Sequence, residues 1–295
     1  MRPVKDFAQF PDRGYLTSER GRLDSTAGGA KREMNKAGRI ARDLWIATSA
    51  RNQADWHDSS LRALGVKTFR TDALWSREPM RPSIYLSALT LSLVRTESRL
   101  VEEIWHMIQR GPDSTISIAD SFNELDLTGL GFRRMTWTGE WWIKEAARSP
   151  GKPDVTEVYI ELVEDEAALR EFGVGTYEGF ETPGAIRASG PLGMRHPITL
   201  NDPRMRYFVG RVDGQVVTSS IAYIGDDIVG IYGVSTLPEF RNRGYGKAVT
   251  WAAAMSHHGL DVAMQPSSMA RGIESELGFR KIAEYTLWVR EVRTP

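Results

Sequence analysis

The chain has 295 residues, with 38 Lys and Arg balanced by 38 Asp and Glu, and no cysteine. Zero net charge gives no electrostatic reason to bind nucleic acid or an anionic membrane. The missing cysteines exclude a disulfide framework and a thiol nucleophile, and favour a reducing, cytoplasmic setting. The length suits two domains of about 150 residues, each able to bury its own core.

Residues 1–33 are polar, contain glycines and show no apolar periodicity, so a flexible leader is expected. They have no apolar core of the kind a secretory signal needs, and Met34 is an alternative candidate start. The longest apolar run, Ile84 to Val94, is interrupted by Ser87, Thr90 and Ser92; it is too short to span a bilayer and reads as a strand. A helix is expected over Glu97–Arg110, then a strand at Ile116–Ile118, then Leu130-Gly131-Phe132-Arg133 and a strand carrying Trp141. The prolines and glycine of Arg148 to Pro153 suit a linker between segments 34–148 and 155–295.

Beyond the linker, Phe208–Val212, Val216–Ile224 and Ile228–Val234 read as three antiparallel strands joined by tight turns. Arg241-Asn242-Arg243-Gly244-Tyr245-Gly246-Lys247 follows, an Arg-x-x-Gly-x-Gly loop that opens a helix expected to run to His257. Glycines let the backbone come close to a bulky anion, and the first N–H groups of a helix lack intrahelical partners and lie at its positive end. A pyrophosphate suits such a cradle. A pattern this short arises by chance about once in three chains of this length, so its surroundings decide. They continue with an apolar strand at Val262–Met264, a short helix from about Ser268, Leu277-Gly278-Phe279-Arg280 and a last strand, Tyr285–Val292.

This order of elements around the glycine loop resembles the GNAT superfamily of N-acetyltransferases, over Val155 to Val292. The resemblance implies an α/β (α+β) fold: a mixed, mostly antiparallel, twisted sheet flanked by helices. It also implies acetyl-CoA (coenzyme A) as acyl donor. Val234, Ser235 and Thr236 would pair with the pantetheine arm like an extra strand, one N–H facing the thioester oxygen. The phosphates would rest on the N–H groups of Asn242 to Lys247, with Arg241 and Arg243 adding charge. Two positions depart from the family. Glu274 stands where members often have a tyrosine that protonates the leaving thiolate, and Ser267 stands where many have an asparagine. A carboxylate donates a proton only if its pKa is raised, so Ser267 or a water is the other candidate donor. No motif marks the general base; Tyr232, Glu178 and Glu181 are candidates. The stretch from Gly173 to Gly193, with Met194 and Arg195 just beyond it, corresponds to the family's acceptor-pocket region; Tyr177, Phe180, Met194 and Arg195 mixed with acids suit an amine with an apolar body.

The run Leu130–Arg133 also repeats as Leu277–Arg280, an offset of 147 residues (278 − 131) that sets Trp141 against Trp288 and helix 97–110 against 244–257. The chain therefore reads as tandem GNAT-like units. In the first, Glu97 falls opposite Gly244 and Arg99 opposite Gly246, so a carboxylate and a bulky side chain would occupy the cradle. That half should not bind coenzyme A; its expected role is structural, or to form one wall of the substrate cleft. The five histidines show no metal spacing and are expected in core or surface roles. The function expected is acetyl transfer to a primary amine of a small molecule or protein, by a monomer or homodimer. The alternatives are a catalytically silent acyl-CoA-binding or regulatory protein, and a transferase that uses a larger acyl-CoA or conjugates an amino-acid-like acceptor.

Overall fold

The structure, a computed structural model, describes residues 28–80, 84–93, 97–110, 115–148, 150–181, 190, 192, 195–267 and 271–291. Its helices are α1 (Gly28–Ala63), α2 (Glu97–Ile108), α3 (Glu166–Gly179), α4 (Tyr245–Ala254) and α5 (Arg271–Glu276). The strands are β1 (Thr68–Arg70), β2 (Leu74–Arg77), β3 (Ala88–Thr90), β4 (Thr115–Asp120), β5 (Arg133–Arg134) and β6 (Gly139–Lys144), then β7 (Tyr159–Leu162), β8 (Met205–Val212), β9 (Gln215–Ile224), β10 (Ile228–Thr236), β11 (Asp261–Met264) and β12 (Arg280–Glu291). They form one sheet in the order β1-β2-β3-β4-β12-β6-β11-β10-β9-β8-β7, with β5 beside β12. Only β3–β4 and β10–β11 pair in parallel. No helix among the described residues is long and apolar enough to cross a membrane.

The two halves exchange strands. β6, from the first half, lies between β11 and β12 of the second, with Val262 opposite Lys144 and Met264 opposite Trp142. β12 in turn crosses to β4, with Trp288 opposite Ile118 and Glu291 opposite Thr115. The registers carry the sequence offset: moving Trp288 back to Trp141 and Ile118 forward to Gln265 gives the next step of the β6–β11 ladder. Gly131 and Gly278, at matching positions, both take left-handed φ, 78° and 83°, which a Cβ would oppose. The segment 148–153 joins β6 in the middle of the sheet to β7 at its edge.

Three expectations need adjustment. Of the run Ile84–Val94 only β3 pairs as strand. The last strand starts at Arg280, five residues before the sequence expectation, because β6 supplies a partner for its first half. Helix α1 is 36 residues long, and its first turns, Gly28 to Glu33, fall within the segment expected as leader; residues 1–27 lie outside the described residues.

Helix α1 packs across both halves. Its buried Ala50 and Ala54 let it approach the sheet closely, and Ile46 and Leu61 join Trp75, Leu89 and Trp141 in one core. Polar contacts fix its position: Trp45 Nε1 donates to Asp261 (3.1 Å), and Gln265 donates to Gln53 (2.7 Å). Asn52 Nδ2 donates to the carbonyls of Tyr223 (3.2 Å) and Ile228 (2.9 Å), while its Oδ1 accepts from the Tyr232 hydroxyl (2.7 Å). Gly230 makes room for this last bond, since a Cβ there would sit 2.1 Å from Asn52 Oδ1.

On the same helix His57 is buried, stacked on Trp75 with ring centroids 4.9 Å apart and met edge-on by Tyr85. Burial, and then the nearby Arg77 cation, hold its pKa down at about 3. As the pH falls below about 6.5 the unfolded chain takes up a proton here and the folded chain does not, so this residue makes stability decline from about pH 6.5 down to about 3. The limiting slope is about 1.4 kcal/mol per pH unit. Urea unfolding of the wild type and of His57→Phe between pH 4 and 7 is expected to differ by a slope of that sign; parallel pH profiles would count against it.

Candidate functional site

Strand β10 runs beside β11 only from Ile228, opposite Asp261, to Ile231, opposite Met264. Beyond that point β11 ends while β10 continues to Thr236. On its other side the ladder to β9 is broken between Tyr232 and Ser235, where Gly233 takes a φ of 60°. A bulge of this kind bends the strand and re-aims its edge. Ser235 and Thr236 are therefore paired to β9 on one edge, Val234 lies within the break, and none of the three has a β11 partner on the other edge. Buried hydroxyls support the bend: Thr176 Oγ1 bonds Ser219 Oγ (3.0 Å), which bonds Ser235 Oγ (2.8 Å), and Thr218 donates to the Ser235 carbonyl (2.7 Å).

The glycine loop follows. Asn242 and Gly244 take left-handed φ of 63° and 81°, and Gly244 is the N-cap of α4. No side chain caps this helix, so its first N–H groups are available to an anion. Gly246 allows close packing on the end of β10, because a Cβ there would lie 3.2 Å from Thr236 Oγ1. Tyr245 is buried, and its hydroxyl donates to Glu157 (2.7 Å), which raises its pKa.

The cations of the loop are engaged in protein contacts. Arg241 donates to the carbonyls of Thr236 (3.2 Å) and Gly179 (2.9 Å) and pairs with Glu181, tying the end of β10 to the end of α3. Arg243 donates to the Glu239 carbonyl (3.3 Å) and lies over the Phe240 ring, and Lys247 pairs with Glu276. The glycines and backbone N–H groups thus have the expected arrangement, while the guanidinium of Arg241 acts as a brace.

A cavity of about 210 Å³ opens beside the bulge, reaching Gly233 and Thr176. Two of its walls, Trp56 on α1 and Tyr85 before β3, come from the first half of the chain. Ser60 and Ile84 of the first half also line it, and the second half contributes Thr176, Tyr177, Phe180, Arg195, Tyr207, Ile221 and Gly233. Sequence reading named Tyr177, Phe180 and Arg195 but not Trp56 or Tyr85, because nothing local marks a residue whose partner lies more than a hundred positions away.

The candidate proton-transfer groups separate clearly. Tyr232 is buried, stacked on Trp56 at 4.1 Å, and its hydroxyl donates to Asn52. Burial drives its pKa well up, so it holds its proton and serves the core rather than acting as a base. Glu178 is exposed on α3, and Glu181 is paired with Arg241. Ser267 is exposed just past the end of β11. Glu274 lies on α5, and its side chain lies outside the described residues. No group of three or more His, Asp or Glu among the described residues could hold a metal.

The corresponding place in the first half is closed. β3 and β4 pair in parallel up to Leu89 and Ala119, and there Ser121 donates through its N–H to Thr90 Oγ1 and through its hydroxyl to the Thr90 carbonyl, both at 2.8 Å and both buried. Glu97 accepts the N–H of Asp126 (3.2 Å). The strand edge that is open in the second half is stapled here.

Residues 168–263 match the family model of the acetyltransferase (GNAT) family. Among solved structures, a GCN5-related N-acetyltransferase from Kribbella flavida superposes with a TM-score of 0.59 at 15% identity, covering 83% of this chain and 96% of its own. A conserved protein of unknown function from Staphylococcus epidermidis gives 0.56 at 16% identity, covering 76% and 93%. A GCN5-related N-acetyltransferase from Sphaerobacter thermophilus gives 0.53 at 15%, covering 75% and 78%. At these identities the likeness is one of fold. No protein of curated function matches the sequence.

Gly244 has a φ of 81°, and an added Cβ would meet Val155 Cγ2 at 3.0 Å. Gly244→Ala is therefore expected to cost about 1–2 kcal/mol of stability by chemical denaturation; an unchanged midpoint would show that the loop relaxes out of this conformation.

Proposed function

We propose that this chain, which carries a GNAT-family acetyltransferase domain over residues 168–263, moves an acetyl group from acetyl-CoA to a primary amine. One observation carries the reading: β10 bulges at Gly233 and loses its β11 partner beyond Ile231, leaving an open strand edge that leads into a glycine loop and an uncapped helix N-terminus. An extended arm ending in a pyrophosphate fits an open edge followed by an anion cradle.

Acetyl-CoA supplies an acetyl group already activated as a thioester. The residues of the chain bind, orient and polarise. Val234, Ser235 and Thr236 offer their unpaired edge to the pantetheine amides. A backbone N–H at the bulge faces the oxygen on which negative charge grows, a fixed dipole that needs no reorganisation during reaction. The N–H groups from Asn242 to Lys247 hold the phosphates. The acceptor enters the cavity beside Gly233, so its nitrogen and the acyl carbon meet at the bend, and positioning of this kind supplies much of a transferase's rate. Ser267 and Glu274, which follow β11 at the open end of the splay, are the proposed sources of the proton that the departing thiol requires.

The presence of Glu274 in place of the family's tyrosine favours a second reading, an acyl-CoA-binding protein without transfer activity. Release of free thiol from acetyl-CoA across a panel of amines separates the two, and absence of thiol release with every amine favours the silent reading. Calorimetry is expected to give one acetyl-CoA per chain, because the Thr90–Ser121 staple closes the first half; two equivalent sites would refute this.

Tyr232→Phe gives a further expectation. It keeps the stacking on Trp56 but leaves Asn52 Oδ1 unpartnered, for a loss of about 1–2 kcal/mol in unfolding free energy. Turnover with the best amine should stay within a few-fold of wild type, whereas loss of a general base costs roughly 10²- to 10⁴-fold.

A further inference from the structure

Arg195 lines the cavity beside the β10 bulge and is only 7% exposed. Its guanidinium lies over the rings of Phe172, at 4.8 Å, and Tyr177, at 5.5 Å. Its Nη1 has no hydrogen-bond partner, and no carboxylate among the described residues forms an ion pair with it. Asp202, also on this side of the sheet, is occupied by Ser59 (2.7 Å) and by the backbone N–H of Arg204 (2.9 Å). An arginine stays charged at any working pH, and removing a cation from water without a counter-ion is costly. A site that retains such a group suits a ligand bearing the opposite charge.

We propose that the acceptor is a small amino carboxylate: its carboxylate pairs with Arg195, its apolar body lies among Tyr85, Tyr177 and Tyr207, and its amine points to Gly233 and the strand edge. The proposal rests on the acetyl-transfer reading above and adds the substrate class. The planar guanidinium matches a carboxylate with two parallel hydrogen bonds. One uncompensated positive charge calls for one negative charge, which favours a carboxylate over a phosphate dianion. The size agrees: a cavity of about 210 Å³ is on the scale of a small molecule such as an amino acid. Both ends of the ligand are then fixed, the carboxylate by a side chain of the second half and the amine by the bulge.

The test uses the full chain with coenzyme A bound. Calorimetric titrations compare α-, β- and γ-amino acids, beginning with leucine and phenylalanine, against the same amines without the carboxylate, such as 3-methylbutylamine and phenethylamine. At least one amino acid is expected to bind about 30-fold or more tightly than its matched amine, the lower end of the effect of a desolvated charge pair. Arg195→Met should erase that ratio and Arg195→Lys should restore part of it, each checked for folding by thermal melting. If no amino acid binds better than its amine in the wild type, the proposal is overturned without recourse to any variant. Free thiol release from acetyl-CoA, read in the same mixtures, reports on the parent reading separately. Transfer to amines with no preference for the carboxylate sinks the substrate class alone; tighter binding of the amino acids with no thiol release keeps the carboxylate site and sinks the transfer.

Discussion

The exchange of β6 and β12 between the two halves is the constraint on which the rest of this structure depends. β11 has β10 on one side and β6 on the other, and β4 has β3 and β12. Neither half can complete its sheet from its own residues, so β11, beside the bulged β10, is held in place by Trp142, Ile143 and Lys144 of the other half. Unpaired strand edges are costly and sticky, and mutual exchange removes two of them at once. Helix α1 then lies over the joined sheet and ties it down with Trp45, Asn52 and Gln53, each bonded to residues of the second half.

Within this frame the same local motif has two outcomes. A pair of parallel strands joined through a helix occurs in each half; in one the second strand stops short of the first, and in the other the strand ends are pinned together. The difference lies in a few polar atoms. Thr90 and Ser121 satisfy each other across the gap in the first half. In the second, the bulge at Gly233 and the short β11 leave the backbone of Val234 to Thr236 without a partner on that edge. The first half contributes Trp56, Ser60, Ile84 and Tyr85 to the cavity beside the bulge.

Buried polar groups concentrate around that cavity, and most are paired. Tyr232 and Asn52 satisfy each other, and the hydroxyls of Thr176, Ser219 and Ser235 form a chain beneath the bulge. Pairing of this kind makes the bend rigid, because breaking any link leaves a desolvated donor or acceptor. Trp56 Nε1 and Arg195 Nη1, on residues that both line the cavity, have no partner among the described residues, and the Arg195 guanidinium lies over aromatic faces. Gly233, at the bend of β10, and Arg195 line the same cavity.

The C-terminal unit was legible in the sequence because its information is local. Turn glycines, alternating strands and the run Arg241 to Lys247 are read from neighbouring residues, and β8 to β11 and α4 lie close to where the pattern puts them. The offset of 147 residues is local in the same sense, since identical short runs are visible without knowing how they pack. Tertiary structure alone decided the rest. The exchange of β6 and β12 pairs residues whose separation leaves no trace in local periodicity. Helix α1 escaped notice because it faces the sheet with alanines and polar anchors instead of a stripe of large apolar residues. Tyr232 looked like a base until Asn52, 180 positions away, was found accepting its proton in a hydrogen bond. Arg241, a phosphate candidate by its place in the loop, is bonded to Gly179 and Glu181, contacts that no local pattern announces. Residue type fixes what a side chain can do; only the fold determines which neighbour takes up that capacity first.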